Sequence, residues 1–180
     1  MAESLKGMVG QLEERLEDRT KALQSSAVET QAAVEIGRAA TSLRDLDSLL
    51  TRTVQLITER FGFYHAGVFL VDEASEYAVL KAASSEGGKR MLDRGHKLKV
   101  GQTGIVGFVT RAGRARIALD VGQDAGFFDN PDLPSTRSEM ALPIIIGEQI
   151  LGALDVQSLE SQAFGEQDIA TLQILADQLA

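Results

Sequence analysis

The segment Arg137–Ser158, RSEMALPIIIGEQILGALDVQS, constrains the fold of this chain more than any other. Two apolar runs, Met140–Ile146 and Ile150–Val156, flank a short polar turn at Gly147-Glu148-Gln149. That pattern predicts a β-hairpin. Its near-continuous apolar character predicts a place in the middle of a sheet covered on both faces. A hairpin this apolar is scaffold. The polar residues stand at its edges: Arg137, Ser138 and Glu139 lead in, and Asp155 sits among apolar neighbours. A binding site is expected there.

Composition excludes several function classes. The formal charge of -8 argues against general nucleic-acid binding, which needs clustered positive charge. There is no cysteine, which removes disulfides, thiolate nucleophiles, cysteine-ligated zinc and thioether-linked chromophores. It also fits a reducing compartment, so a cytoplasmic location is expected. No apolar run approaches the roughly 20 residues that span a bilayer, and no signal-peptide core opens the chain. No membrane role is expected for this segment. The membrane status of a longer parent chain stays open.

Residues 1 to about 43 favour a polar helical arm. A heptad frame passes through Val9, Leu12, Leu16 and Leu23, with Leu5 one step before, but then meets Arg19, Ser26 and Thr30. So thin an apolar stripe predicts a weak coiled coil that needs a partner, and hence a homodimer. A second helix is predicted from about Asp45 to Phe61, with Leu46, Leu49, Leu50, Val54 and Ile57 on one face and Gly62 as its stop. Strands follow at Ala66–Val71, Tyr77–Ala83, His96–Val100 and Ala115–Asp120. Ser84–Gly95 reads as polar connection, Ile105–Arg111 as a short helix ended by Gly113, and Val121–Arg137 as a loop. The last helix begins near Gly165, with Phe164 and Ile169 as a hydrophobic staple. Its apolar stripe runs to Ala180 with no stop signal, so a longer parent protein or a helical output is expected.

This order of elements, with the motifs Gly62–Leu70, Gly101–Gly107, Asp120-Val121, Ser138–Pro143, Gly152–Ser158 and Phe164–Leu172, resembles a GAF domain. Leu12–Thr20 is similar to the signalling-helix linker that precedes sensor domains in bacterial histidine kinases. The resemblance implies an α+β, GAF/PAS-like antiparallel sheet. The N- and C-terminal helices would lie on one face, with loops and short helices over a small-ligand pocket on the other. It places the arm at 1–33 and the sensor domain at 34–180. Covalent bilin attachment and the free methionine sulfoxide reductases of this fold need cysteine, which is absent. The Asn-Lys pair of cyclic-nucleotide GAF domains has no counterpart. Haem would need His65 or His96 as its axial ligand. The cofactor therefore stays unknown.

The candidate ligand-binding residues are His96, Arg90, Phe127, Phe128, Arg137, Glu139, Met140 and Asp155. His96 begins a strand bordering the expected pocket, whereas His65 reads better as a hydrogen-bonded strand-end histidine. Arg90 belongs to a basic run, Lys89 to Arg116, which reads either as a solvated face or as a source of guanidinium groups for an anion. Gly101–Gly104 entering a helix offers a weak second anion cradle. Phe127 and Phe128 read as a loop plug or as a pocket wall. Glu139 either pairs with Arg137 or orients it toward a ligand. Met140 reads as core filler or ligand contact. Asp155 either caps the following loop or receives a donor from the pocket.

No nucleophile–base pattern and no metal-ligand spacing stands out, so neither a catalytic residue nor a metal is expected. The expected function is a non-enzymatic sensory domain. It would bind a small, anionic or aromatic metabolite and signal through its flanking helices to an output domain of a two-component or similar protein. The alternative is a structural dimerisation module with a vestigial pocket.

Overall fold

The computed structural model describes residues 45–124 and 126–180, together with Arg19. The expected arm at 1–33, the boundary at 34 and the heptad positions other than Arg19 lie outside the described residues. Arg19 itself is helical and exposed. Helix α1 runs through 45–61 and ends where Gly62, at φ +73°, donates its N–H to the Thr58 carbonyl. The left-handed stop read from the sequence is therefore present.

Six strands follow: β1 (His65–Val71), β2 (Tyr77–Ala83), β3 (Lys97–Lys99), β4 (Arg116–Ala118), β5 (Ser138–Ile146) and β6 (Gln149–Ser158). Among them stand α2 (Glu86–Asp93), α3 (Gly104–Ala112), the 3-10 turn Val121–Gln123 and, last, α4 (Glu166–Gln178). The sheet is antiparallel in the order β3-β2-β1-β6-β5-β4. The β5–β6 hairpin lies inside it, as its apolar runs require. Gln149 pairs with Ile146, so the turn is only Gly147-Glu148, with Gly147 at φ +59°. A positive φ at the first turn residue suits a two-residue hairpin and selects glycine.

Strand alternation divides the core into two layers. On one face Ala66, Val68, Met140, Leu142, Ile144, Leu154 and Val156 meet Leu50, Val54 and Ile57 of α1 and Leu172 and Ala176 of α4. Phe164 is buried in the same layer, and Ile169 packs there with it. On the other face Phe69, Leu80, Ala141 and Ala153 meet Met91 of α2, Leu98, and Ile105, Val106 and Val109 of α3. This is the arrangement expected from the sequence, an antiparallel sheet with α1 and α4 on one face.

Two differences from the sequence reading bear on the site. Residues 84–95, expected as polar connection, contain helix α2. Ser85 caps it by accepting the Gly88 N–H at 3.0 Å. Its glycines serve packing: a Cβ on Gly87 would lie 2.0 Å from the Asp132 carbonyl oxygen, and one on Gly88 would lie 2.5 Å from the Ala83 Cβ. The hairpin also extends further at its open end, so Ser138, Glu139, Gln157 and Ser158 are paired strand residues. β4 pairs only with 139–141, short of Pro143, which has no N–H to offer a longer partner.

Candidate ligand site

The register builds the site. Glu139 of β5 stands opposite Gln157 of β6, and Gln157 opposite His65 of β1. One step along, Ala141 faces Asp155, and Asp155 faces Gly67. All the side chains of these two rows point to the α2–α3 face. The small neighbours Ala141, Ala153 and Gly67 leave the polar ones room. Above them lies a cavity of about 20 Å3, floored by Glu139, Asp155 and Gln157 and walled by Phe69, Met91, His96, Phe128 and Asn130. That volume holds about one water. A larger open cleft of about 470 Å3 lies at the other end of the sheet, beside Glu148 and Arg111. Its acid Asp72 is already used, accepting from the Glu76 and Tyr77 N–H groups.

The floor is a chain of polar groups. Thr136 Oγ1 donates to Gln157 Oε1 at 2.6 Å, and Gln157 Nε2 donates to Asp155 Oδ2 at 2.8 Å. Asp155 is 2 % exposed and Glu139 5 %. Both carboxyls line the cavity floor from adjacent strands, and burying two like charges together favours a proton on at least one of them. Asp155 Oδ1 has no hydrogen-bond partner. Burial raises both acids: Asp155 to about 6, against the hydrogen bonds from Gln157 and Glu139 that lower it. Glu139 is raised well above its ordinary value by burial and then by the Asp155 charge. The two form one titrating unit.

The roof is held by ion pairs. Asp132 receives Arg90 Nε at 3.0 Å and also Arg94, both from the α2 segment. Asp124 receives Arg116 at 2.7 Å. Asn130 Nδ2 donates to the Met91 sulfur at 2.8 Å. Phe128 lies over Gly104, where a Cβ would come within 3.0 Å of the Phe128 Cβ. His96 stands between Phe69 and Phe128, with ring centroids 6.2 and 6.3 Å away. Burial, then the Arg94 charge, lowers the His96 pKa.

Of the residues singled out in the sequence, His96, Phe128, Glu139 and Asp155 come together around the cavity. Arg90 points to Asp132 instead, with its side chain 59 % exposed. Arg137 is exposed, and its backbone N–H donates to the Ser158 carbonyl. Met140 is buried on the opposite face, because alternation along β5 turns it away from Glu139. Phe127 is half-buried in the loop, outside the cavity lining. Asp155 stays within its strand and caps nothing. The amides of Gly101, Gln102 and Thr103, which the sequence offered to an anion, are spent on the Gly107 and Lys99 carbonyls. The cavity floor is acidic and no arginine lines it, so the anionic ligand considered from the basic run does not suit it.

Gln157, Thr136, Asn130 and Met91 escaped the sequence reading. Asp155 and Gln157 at i and i+2 in an apolar strand were the available signal, since that spacing puts both on one face. His65 is fully buried, with Nδ1 2.7 Å from Ser85 Oγ. Burial alone pushes its pKa down to about 4.

The family model of the GAF domain matches residues 44–180, and the chain belongs to that family. No curated protein sequence matches it. Among solved structures, it is similar to the GAF domain of a phosphoenolpyruvate-protein phosphotransferase from Coxiella burnetii. That match has 25% identity and a TM-score of 0.67, and covers 81% of this chain and 89% of that one. It is similar to the free methionine-R-sulfoxide reductase of Neisseria meningitidis in complex with its substrate. Here identity is 25% and the TM-score 0.64, over 74% of this chain and 75% of that one. The type II free methionine-R-sulfoxide reductase of Thermoplasma acidophilum shares the fold at 19% identity and TM-score 0.66, over 76% of this chain and 91% of that one.

These likenesses correct the expectation that the domain is not an enzyme. The same fold, with similar coverage, carries reductases. Lack of cysteine removes thiolate chemistry from this chain, not catalysis from its fold. GAF domains are typically regulatory or ligand-binding, and the neighbours include a GAF domain of a phosphotransferase. No described helix is long and apolar enough to cross a membrane.

Proposed function

We propose that this GAF domain binds a small molecule whose cationic or multiply donating head sits on Glu139 and Asp155, beneath Phe128 and His96. The observation that carries the reading is the buried carboxyl pair on the cavity floor, with Asp155 Oδ1 lacking any hydrogen-bond partner. Buried charge is costly unless paired, and a ligand ammonium group would supply the pairing. A free amino acid has such a head. The similarity to a reductase solved with free methionine-R-sulfoxide chemistry in its name makes methionine sulfoxide the first probe. An amino acid is many times larger than one water, so the Phe128 loop must swing out on entry.

Binding would be passed along β5 and β6. Asp155 faces the cavity, while Leu154 and Val156 beside it pack under α1 and α4. A ligand signals only by favouring one arrangement of those helices. Leu49 of α1 and Ile174 of α4, 51% and 58% exposed, supply apolar surface for a homodimer through these helices. An output domain in a bacterial, cytoplasmic signalling protein completes the proposal.

The test is a thermal-shift and calorimetric screen of the full chain with L-methionine sulfoxide, L-methionine and the other free amino acids. At least one should raise the melting temperature, and Phe128→Ala should speed its dissociation at least threefold. The small cavity favours one second reading, a dimerisation module whose pocket is closed for good. No shift with any probe, together with a dimer in sedimentation, would favour that second reading.

A further inference from the structure

The floor of the cavity holds two acids where one net negative charge is the most the site tolerates. Glu139 and Asp155 sit on adjacent strands, both buried, on the floor of one cavity, and Asp155 Oδ1 has no hydrogen-bond partner there. Two ionised carboxylates buried side by side would leave both charges unpaired, and a proton held between them relieves that cost. We propose that Glu139 and Asp155 share one proton in the ligand-free domain and surrender it to solvent when a cationic group enters the cavity, so that ligand binding is coupled to proton release. This rests on the reading of the site as a receptor for a cationic head, and adds its regulation by pH.

The surroundings favour the exchange. On β6, Gln157 already donates to Asp155 Oδ2 and holds that oxygen ready as an acceptor. From β4, Arg116 favours ionisation of Glu139, but it is engaged by Asp124, which opposes it. Across the cavity His96 is half-buried beside Arg94, and burial, then the Arg94 charge, lowers its pKa. His65 of β1 lies beside Gln157 in register, and its burial keeps it neutral as well. At the mouth, Arg90 and Arg94 are bound to Asp132. The linings from α2 and α3, Met91, Ile105 and Val106, carry no titrating group. Among the described residues no side-chain cation is ion-paired with Glu139 or Asp155. The proton is the cation they have, and a ligand ammonium group is the natural replacement.

The balance is simple. The carboxyl O–H bond breaks, its proton goes to buffer, and both acids end ionised around the ligand charge. One proton leaves per ligand bound, so affinity should rise about tenfold per pH unit below the pair's upper apparent pKa.

Two measurements on the full chain test this. Carbon-13 NMR of the labelled carboxyls should show one of the pair still protonated at pH 7, and both ionised at that pH would overturn the proposal. Calorimetry with L-methionine sulfoxide in buffers of contrasting ionisation enthalpy should show about one proton released at pH 7. N-acetyl-L-methionine sulfoxide, which lacks the ammonium group, should release none. Glu139→Gln and Asp155→Asn, checked for native circular dichroism, should bind without releasing a proton. Binding whose affinity ignores pH would sink the proton exchange and leave the receptor reading intact. A protonated pair with no binding of any probe at any pH would remove the receptor reading, and the exchange with it.

Discussion

Gly152→Ala is expected to cost about 3 kcal/mol or more and to leave the domain close to unfolded. Gly152 lies in β6, between Leu70 of β1 and Ile144 of β5. A Cβ there would stand 2.0 Å from the Phe69 carbonyl oxygen, 3.0 Å from its carbon and 3.1 Å from the Leu70 Cα. All three are backbone atoms of a central strand, so no side chain can rotate aside. Relief requires β1 and β6 to part, and both core layers depend on that pair. Gly147→Ala is the control. Its φ of +59° strains an alanine, but nothing lies within 4 Å of the new methyl. It should cost only about 1 kcal/mol. Urea unfolding of the two variants, compared through their midpoints, separates them. Equal midpoints would mean that the strand approach at Gly152 is not fixed.

The contrast between those glycines shows which parts of this fold were legible. Gly147 stands between two apolar runs, and its turn role is local information. Gly62 and Gly113 ended their helices for the same local reason, and both adopt positive φ. Gly152 carries no such mark, because its requirement comes from a strand 80 residues earlier in the chain. Gly87 and Gly88 misled in the opposite sense. Glycine weakens an isolated helix, so Ser84–Gly95 looked like connection. Helix α2 is capped by Ser85, and it packs so close to Asp132 and Ala83 that only glycine fits at 87 and 88. Local propensity lost there to packing that no periodicity reports.

The site follows the same rule. Glu139 and Asp155 were visible because charged residues in apolar strands need a reason. Their place on one cavity floor was not visible, since it depends on register: Ala141, not Glu139, stands directly opposite Asp155. The same alternation sends Met140 to the other face. The basic run misled because net composition says nothing of pairing. Arg90, Arg94 and Arg116 are spent on Asp132 and Asp124, loop acids that the sequence did not connect to them. The exclusion of catalysis failed for a further reason. Counting thiols tests one reaction, whereas a fold hosts many.

Asp155→Asn is expected to stabilise the ligand-free domain at pH 8, by about 2–3 kcal/mol on the pair's titration alone, and to change little at pH 4. The sign follows from which state holds its protons harder. Burial raises Asp155 from 3.8 to about 6 and Glu139 well above its ordinary value, so the folded state binds protons more tightly than the unfolded chain. Such groups add their full contribution below the unfolded pKa, and it is lost as pH rises through the folded one. Wild-type stability should therefore decline from about pH 4 through pH 6, and further as Glu139 is forced to ionise. Asparagine keeps the shape and can still accept from Gln157 Nε2, which now meets Asp155 Oδ2 at 2.8 Å. Its own N–H offers Glu139 a donor, so that acid can ionise without facing a second charge. Exposed pairs such as Glu86 with Lys89 act the other way at low pH, but they are common to both proteins and cancel in the difference. Chemical denaturation of wild type and variant at pH 4, 6 and 8 should give curves that meet at low pH and diverge upward. Parallel curves would mean that the two carboxyls do not titrate as a buried pair.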